Sequence, residues 1–192
     1  MPDAVHVPML RGERIWLRPL EERDLDAHRR AASDRDIASL AGFPIPLSET
    51  NVRRWFEKAS EQHGSDAFHF AICLAGDDAF VGLSSLWHMD HINGSAEISM
   101  YIGDKELWGK GYGTEALNAV VDFGFGELPL ERIWLAVYSH NPRAQKTYVK
   151  AGFVTEGVMR HARRHRGGFS DSILMSQLRD EWAASPRPKG GR

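Results

Sequence analysis

Three things are scarce in this chain: cysteine, long apolar stretches and any excess of charge. Cys73 is the single cysteine among 192 residues. An intramolecular disulfide and a cysteine-based zinc cluster within one chain are thereby excluded. No apolar run approaches the roughly 20 residues that a membrane span needs. Lys and Arg number 24 against 26 Asp and Glu, a formal charge of -2. No basic field therefore marks nucleic acid as the partner. Residues 1–14 hold no signal-peptide core. No repeat emerges, and no low-complexity segment breaks the chain before residue 185. These absences lead to the expectation of a reduced, cytoplasmic protein that needs neither metal nor membrane.

What is present suits one globular domain. The chain is 42% hydrophobic and 26% charged, ordinary for such a domain. Its length allows roughly two-thirds of the unfolded surface to be buried. Residues 1–184 are expected to form the domain, and 185–192, with two Pro and two Gly, a disordered tail. Period-two patterns predict strands over 14–20, 68–74, 80–87, 96–102, 132–138, 153–159 and 172–178. Helical patterns cover 21–33, 50–62, 114–125 and 142–151. Strand 132–138 is apolar on both faces, which suits a strand covered on both sides. The order is βααβββαβαββ: an α/β (α+β) chain of about seven strands and four helices around a mixed, mostly antiparallel sheet.

The densest motif is Trp108-Gly109-Lys110-Gly111-Tyr112-Gly113-Thr114, placed between a strand and a helix. Its glycines let backbone approach a ligand closely, and the helix N-terminus favours an anion such as a pyrophosphate. A Walker loop is excluded, because Gly111 and not Ser or Thr follows Lys110. Gly111, Gly113 and Ala116 fit a dinucleotide fingerprint, but that fold needs an acid at the end of the next strand. This strand ends Ala136-Val137-Tyr138. A coenzyme A pyrophosphate and a plain glycine turn stay open. Farther on, Asn141 and Tyr148 are seven residues apart, two turns along one helix and about 10 Å apart. Asn141 also suits a helix N-cap, with Pro142 after it.

These two segments resemble the GNAT N-acetyltransferases. Gly111 and Gly113 match the family's loop pattern, and Trp108 stands where that pattern has Gln or Arg. The run from Asn141 through Tyr148 to Gly152-Phe153 resembles its second motif. The likeness is greatest to ribosomal-protein and polyamine N-acetyltransferases, and it implies acetyl-CoA as co-substrate. Gly109, Lys110, Gly111, Tyr112, Gly113 and Thr114 would then hold the pyrophosphate. Met100, Tyr101 and Ile102 would bind pantetheine and the carbonyl through their backbone, Asn141 the pantetheine arm, and Lys146 a phosphate. Tyr148 maps to the position that protonates the departing sulfur.

Acetyl transfer to an amine also requires loss of a proton from the amine. Glu97, on the strand face of Ser99 and Tyr101, is the candidate base, acting through water. Cys73 is not required. The expected acceptor is a primary amine: a protein N-terminus, a polyamine, an aminoglycoside or an amino-acid-like molecule. Likeness alone favours a ribosomal-protein α-amine. Glu21, Glu22, Asp24, Glu49, Glu57 and Glu61 on the first helices would suit a cationic acceptor. Trp55, Phe56 and Trp87 are candidate acceptor-site residues, although core packing accounts for each. The basic run 160–166 reads as a solvated hairpin. His161 with His165, and His88 with His91, are not expected to bind metal. A homodimer is expected, as such enzymes often dimerise. Two other readings remain: an acyl-CoA-binding module without turnover, and an NAD(P)-dependent oxidoreductase.

Overall fold

The computed structural model describes residues 9–186. Among the described residues, eight strands form one sheet: β1 (Leu10–Arg11), β2 (Ile15–Pro19), β3 (Phe68–Leu74), β4 (Phe80–Asp90), β5 (Ser95–Ile102), β6 (Arg132–Tyr138), β7 (Val154–His165) and β8 (Gly168–Leu178). Their spatial order is β1-β2-β3-β4-β5-β6-β8-β7. Every neighbouring pair is antiparallel except β5–β6. Among the described residues, six α-helices accompany the sheet: α1 (Leu25–Ser33), α2 (Arg35–Ala41), α3 (Glu49–Gln62), α4 (Tyr112–Glu127), α5 (Pro142–Lys150) and α6 (Arg179–Ala184).

The core follows from the patterns that define the elements. Alternation in β5 sends Ala96 and Ile98 into the main core with Ile15, Phe70, Leu86 and Ile133. The buried stripe of α4, including Leu117, Val120 and Phe125, lies over this face. A Cβ at Gly124 would meet Ile133 Cδ1 at 2.8 Å, so α4 sits closer to the sheet than a side chain there allows. Helices α1 to α3 cover the other face, where Ile37, Leu83 and Tyr101 form a smaller cluster.

Several sequence expectations are corrected. The strands are eight and not seven, because Leu10–Arg11 adds a short edge. The helices are six and not four. Helix α2 is defined by its ends: the Asp34 side chain accepts from the amides of Asp36 and Ile37, and Gly42 closes the helix at φ 81°. Helix α6 starts where Glu181 accepts from the Leu178 amide, and its Trp182 packs on Phe125. Helix 21–33 opens with a 3-10 turn at Glu22–Asp24. Strand β6 is not covered equally on both faces. Ile133, Leu135 and Val137 are buried, whereas Trp134, Ala136 and Tyr138 are half-buried. The basic run belongs to strand β7, and only Arg166 and Gly167, both with positive φ, form the turn into β8. Of the tail 185–192, residues 187–192 lie outside the described residues. Among the described residues, no helix is long and apolar enough to cross a membrane.

Arg18 is buried on β2 and grips two carboxylates. Its Nη1 and Nη2 donate to Asp24 at 2.7 and 2.9 Å, and its Nε donates to Asp78 at 3.0 Å. The contact ties β2 to the 3-10 turn and to the β3–β4 turn. Arg18→Met would leave Asp24, itself buried, without its counter-charge. The expected loss is about 3–5 kcal/mol, read from urea unfolding. A loss under about 1 kcal/mol, the worth of an exposed pair, would refute this structural role.

Candidate active site

The site begins where two parallel strands part. Strands β5 and β6 pair only at Ser95 with Arg132, Ala96 with Ile133 and Glu97 with Trp134. Beyond that point β5 runs on to Ile102 and β6 to Tyr138 without pairing. Backbone groups of β5 that point away from β4 therefore face the gap without a partner on β6. Met100, Tyr101 and Ile102 lie on this stretch. Two clefts enter the gap, of about 540 Å³ and about 670 Å³. They share Met100, Tyr101, Asn141 and Tyr148 among their linings.

The first cleft contains the glycine loop. Gly109 and Gly111 take φ 74° and 93°, values that disfavour a side chain. Gly111 is the N-cap of α4 and supplies no side-chain cap. The first-turn amides and the positive end of the dipole thus remain available to an anion. Gly109, Gly111, Gly113, Thr114 and Lys146 line the cleft, with Ile102 at its side. Lys110 and Tyr112 do not, and the Lys110 carbonyl and the Tyr112 ring meet Arg14 instead. The Arg14 Nη1 donates to the Lys110 carbonyl at 2.9 Å, and its guanidinium lies 4.5 Å from the Tyr112 ring centroid. Arg14 also pairs with Glu115 at 2.9 Å, so it braces both the loop and the helix behind it. The departure at Trp108 has a structural use. Its indole Nε1 donates to the Ile102 carbonyl at 2.8 Å, and Arg143 stacks over the ring at 3.5 Å. Burial lowers the pKa of Arg143, which faces the same cleft. Arg14 and Arg143 were not singled out in the sequence, because neither belongs to the glycine or Asn–Tyr pattern.

Asn141 and Tyr148 lie on α5 at the junction of the clefts. The Asn141 side chain accepts from the Ala144 amide at 3.1 Å, so it does cap the helix. Tyr148 is buried and packs edge-on against Phe153. Burial pushes its pKa up to about 12, which keeps the hydroxyl protonated. That hydroxyl has no hydrogen-bond partner among the described residues.

The second cleft lies under α1 to α3 and is lined by aromatic rings. His28 stacks on Trp55 at 4.8 Å, and Phe43 meets Tyr101 edge-on at 5.2 Å. Trp55 and Trp87 line it, whereas Phe56 does not. Glu97 also lines it, and its Oε2 lies 3.0 Å from His88 Nδ1. A register shift in β4 between Trp87 and Asp90, with His88 at φ 48°, turns that imidazole toward Glu97. The sequence offers His88 only beside His91, as a pair not expected to bind metal, because a local bulge is not visible in a strand pattern. His161 stacks on Phe169, and His165 on His140. Among the described residues no three His, Cys, Asp or Glu side chains converge as a metal site. Burial pushes the Cys73 thiol up to about 12, far from a reactive thiolate.

Two histidines of this cleft are held neutral. Burial lowers His28 to about 4, and burial with the neighbouring His63 lowers His69 to about 4. An unfolded histidine titrates near about 6.5. Between these values the unfolded chain takes up protons that the folded protein refuses. Stability is thus full above about pH 6.5 and falls as the pH drops toward about 4, by up to about 3 kcal/mol for each group. Urea unfolding at pH 7.5 and at pH 4.5 checks this: His28→Gln should flatten the pH dependence relative to the parent. Equal slopes would refute it.

Comparison with known proteins agrees with this geometry. A family model for the acetyltransferase (GNAT) domain matches residues 14–154. The probable N-acetyltransferase YjcK of Bacillus subtilis is 32% identical over 177 residues, covering 88% of this chain and 97% of that protein. The putative ribosomal N-acetyltransferase YdaF of the same organism is 30% identical over 134 residues, 70% of each chain. The crystal structure of spermidine N-acetyltransferase from Vibrio cholerae, in complex with CoA and spermine, aligns with TM-score 0.82 at 27% identity. It covers 90% of this chain and 99% of that one. The doubly wound parallel sheet that a dinucleotide enzyme requires is not this sheet, whose one parallel pair is β5–β6. With its parted strands, its uncapped helix N-terminus and its matched family model, the chain belongs to the GNAT family of N-acetyltransferases.

Proposed function

We propose that the protein moves an acetyl group from acetyl-CoA to a primary amine by direct attack, with both substrates bound together. The observation that carries this is the meeting of two clefts at Tyr148 and at the open edge of β5. The glycine loop suits the pyrophosphate, with Lys146 and Arg143 beside it. Acetyl-CoA supplies an activated carbonyl when bound. The β5 amides on either side of Tyr101, at Met100 and Ile102, point away from β4 and would polarise the carbonyl oxygen as it gains charge. Tyr148 would give its proton to the departing sulfur. Glu97 would accept the amine's proton through water, with His88 orienting the carboxylate.

Spermidine and ribosomal acceptors are known or named for relatives, and both present a primary amine. A non-catalytic binding module would share the first cleft but would have no use for a donor at Tyr148. Thiol release measured with acetyl-CoA and a panel of amines separates the two. Acetyl-CoA binding with no turnover on any amine would overturn the transfer reading. Glu97→Gln is expected to lower kcat/KM most near pH 7, where the amine is protonated. Activity should recover as the pH approaches the amine's own value, about 10.4 for a lysine-type amine. A loss that stays constant with pH would refute the base role. The reading includes a homodimer, supported by exposed Val154, Val158 and Met159 on the edge strand β7, and a cytoplasmic setting, supported by the single, buried cysteine.

A further inference from the structure

The second cleft carries a charge pattern that bears on the acceptor, given the transfer reading above. Among the described residues that line it, Glu97 is the one carboxylate and Arg163 the one permanent cation. The acids of the first helices do not reach it. Asp24 is engaged by Arg18, Glu21 by Arg23 and Glu22 by Arg53. Glu49, Glu57 and Glu61 are exposed on α3 and are not among its lining residues. The rest of the wall is mostly apolar or aromatic, with the neutral polar side chains of Asn51, Ser85, Ser99 and Asn141, and His28 and His69 are uncharged near neutral pH.

Arg163 reaches the cleft through a local irregularity. The β7–β8 register slips between Met159 and Arg163. His161 takes φ 52°, and its amide donates to Asp171 Oδ1 at 2.8 Å. Such a bulge bends a strand and re-aims the side chains around it. The Arg163 guanidinium thereby lies 5.4 Å from the Tyr138 ring centroid, with no carboxylate partner among the described residues. Glu97 is level with Trp134, and Tyr138 is four residues farther along β6, about 13 Å along a strand. That separation, with two long side chains reaching into it, suits a ring-sized body between the two charges.

We propose that the acceptor is a small primary amine on a flat, apolar body of aromatic-ring size that bears a carboxylate at its far end. The amine lies toward Glu97 and Tyr148, the body lies among the aromatic side chains, and the carboxylate meets Arg163. A polycation is disfavoured: its second and third ammonium groups would be desolvated without a second carboxylate among the described lining residues, and one end would face Arg163.

The test compares kcat/KM for para-(aminomethyl)benzoate, benzylamine and spermidine, in the parent and in Arg163→Ala and Arg163→Glu. Arg163 is exposed, and thermal melts check that each variant folds. In the parent, the benzoate should exceed benzylamine by about tenfold, the effect of one charge-assisted hydrogen bond, and spermidine should rank last. Arg163→Ala should remove that ratio, and Arg163→Glu should invert it and raise the rate on spermidine. A ratio near one in the parent, a ratio unmoved by either variant, or spermidine as the best substrate would overturn the proposal and leave acetyl transfer standing. Acetylation of no amine, with acetyl-CoA still stabilising the fold, would overturn the transfer reading and this proposal with it.

Discussion

Gly111→Asp is expected to abolish acetyl-CoA binding while leaving the protein folded. Gly111 holds φ 93°, and a Cβ there would lie 3.1 Å from Arg14 Nη2. That atom ends a flexible side chain, so it can give way, and the left-handed strain costs about 1–2 kcal/mol. The new carboxylate would occupy the place where a pyrophosphate meets the uncapped end of α4. Unit charges about 4 Å apart near a protein surface repel by about 4 kcal/mol, or about three decades in affinity. The parent should gain about 2.7 kcal/mol of stability at a hundredfold excess of acetyl-CoA over its dissociation constant. The variant should show no gain at the same concentration. An affinity within a few-fold of the parent would remove the loop from the cofactor site. Should the variant fail to fold, Gly113→Asp repeats the test at a position where a Cβ makes only ordinary contacts at 3.8 Å.

The elements that a sequence declares are those whose own periodicity is strong. Helix α4 buries a long stripe, α3 buries Val52 and Ala59 two turns apart, and β5 buries Ala96 and Ile98 in alternation, so their patterns mark them, whereas β3 is marked by its apolar content and is buried at every position from His69 to Cys73. Helix α2 has seven residues and buries only Ile37 and Ala38. Its limits are set by Asp34 and Gly42, which read equally well as loop. Strand β7 is exposed along nearly its whole length, so the sequence shows its first half, 153–159, and no hydrophobic alternation for its continuation to His165. It is a strand because β8 pairs with it. The sequence of β6 reads as covered on both sides because Trp134, Ala136 and Tyr138 are apolar. In the fold that face is only half-buried, and Ala136 and Tyr138 border the second cleft.

The site divides in the same way. The glycine loop and the Asn141–Tyr148 spacing are local, so they were legible. The parting of β5 from β6 depends on two strands separated by thirty or more residues, and only the resemblance implied it. Arg14 and Glu115 are 101 residues apart, and Arg143 finds Trp108 across the cleft. His88 and Arg163 are aimed by irregularities in strand pairing, at φ 48° for His88 and φ 52° for His161. A non-glycine residue in that region is strained. Here the two strained positions lie at opposite ends of one cleft, beside its carboxylate and beside its cation.

Tyr148→Phe is expected to lower kcat by about a hundredfold, near the lower end for loss of a positioned general acid, with little change in acetyl-CoA affinity. The ring stays, so the edge-on contact with Phe153 and the junction of the two clefts are retained. Only the hydroxyl is lost. It makes no hydrogen bond to the described residues, so its removal orphans no buried partner, and the melting temperature should change little. A structural hydroxyl would give the reverse result: lower stability with kcat preserved. Because burial holds Tyr148 up to about 12, it remains a donor throughout the range from pH 7 to pH 10. The deficit in kcat should therefore be constant across that range. Glu97→Gln should behave otherwise, recovering as the amine deprotonates unaided. The two profiles assign the two protons of the reaction to different groups: the one leaving the amine to Glu97, and the one reaching the sulfur to Tyr148. A Tyr148→Phe enzyme with kcat within twofold of the parent would remove Tyr148 from the chemistry and leave the sulfur's proton to solvent.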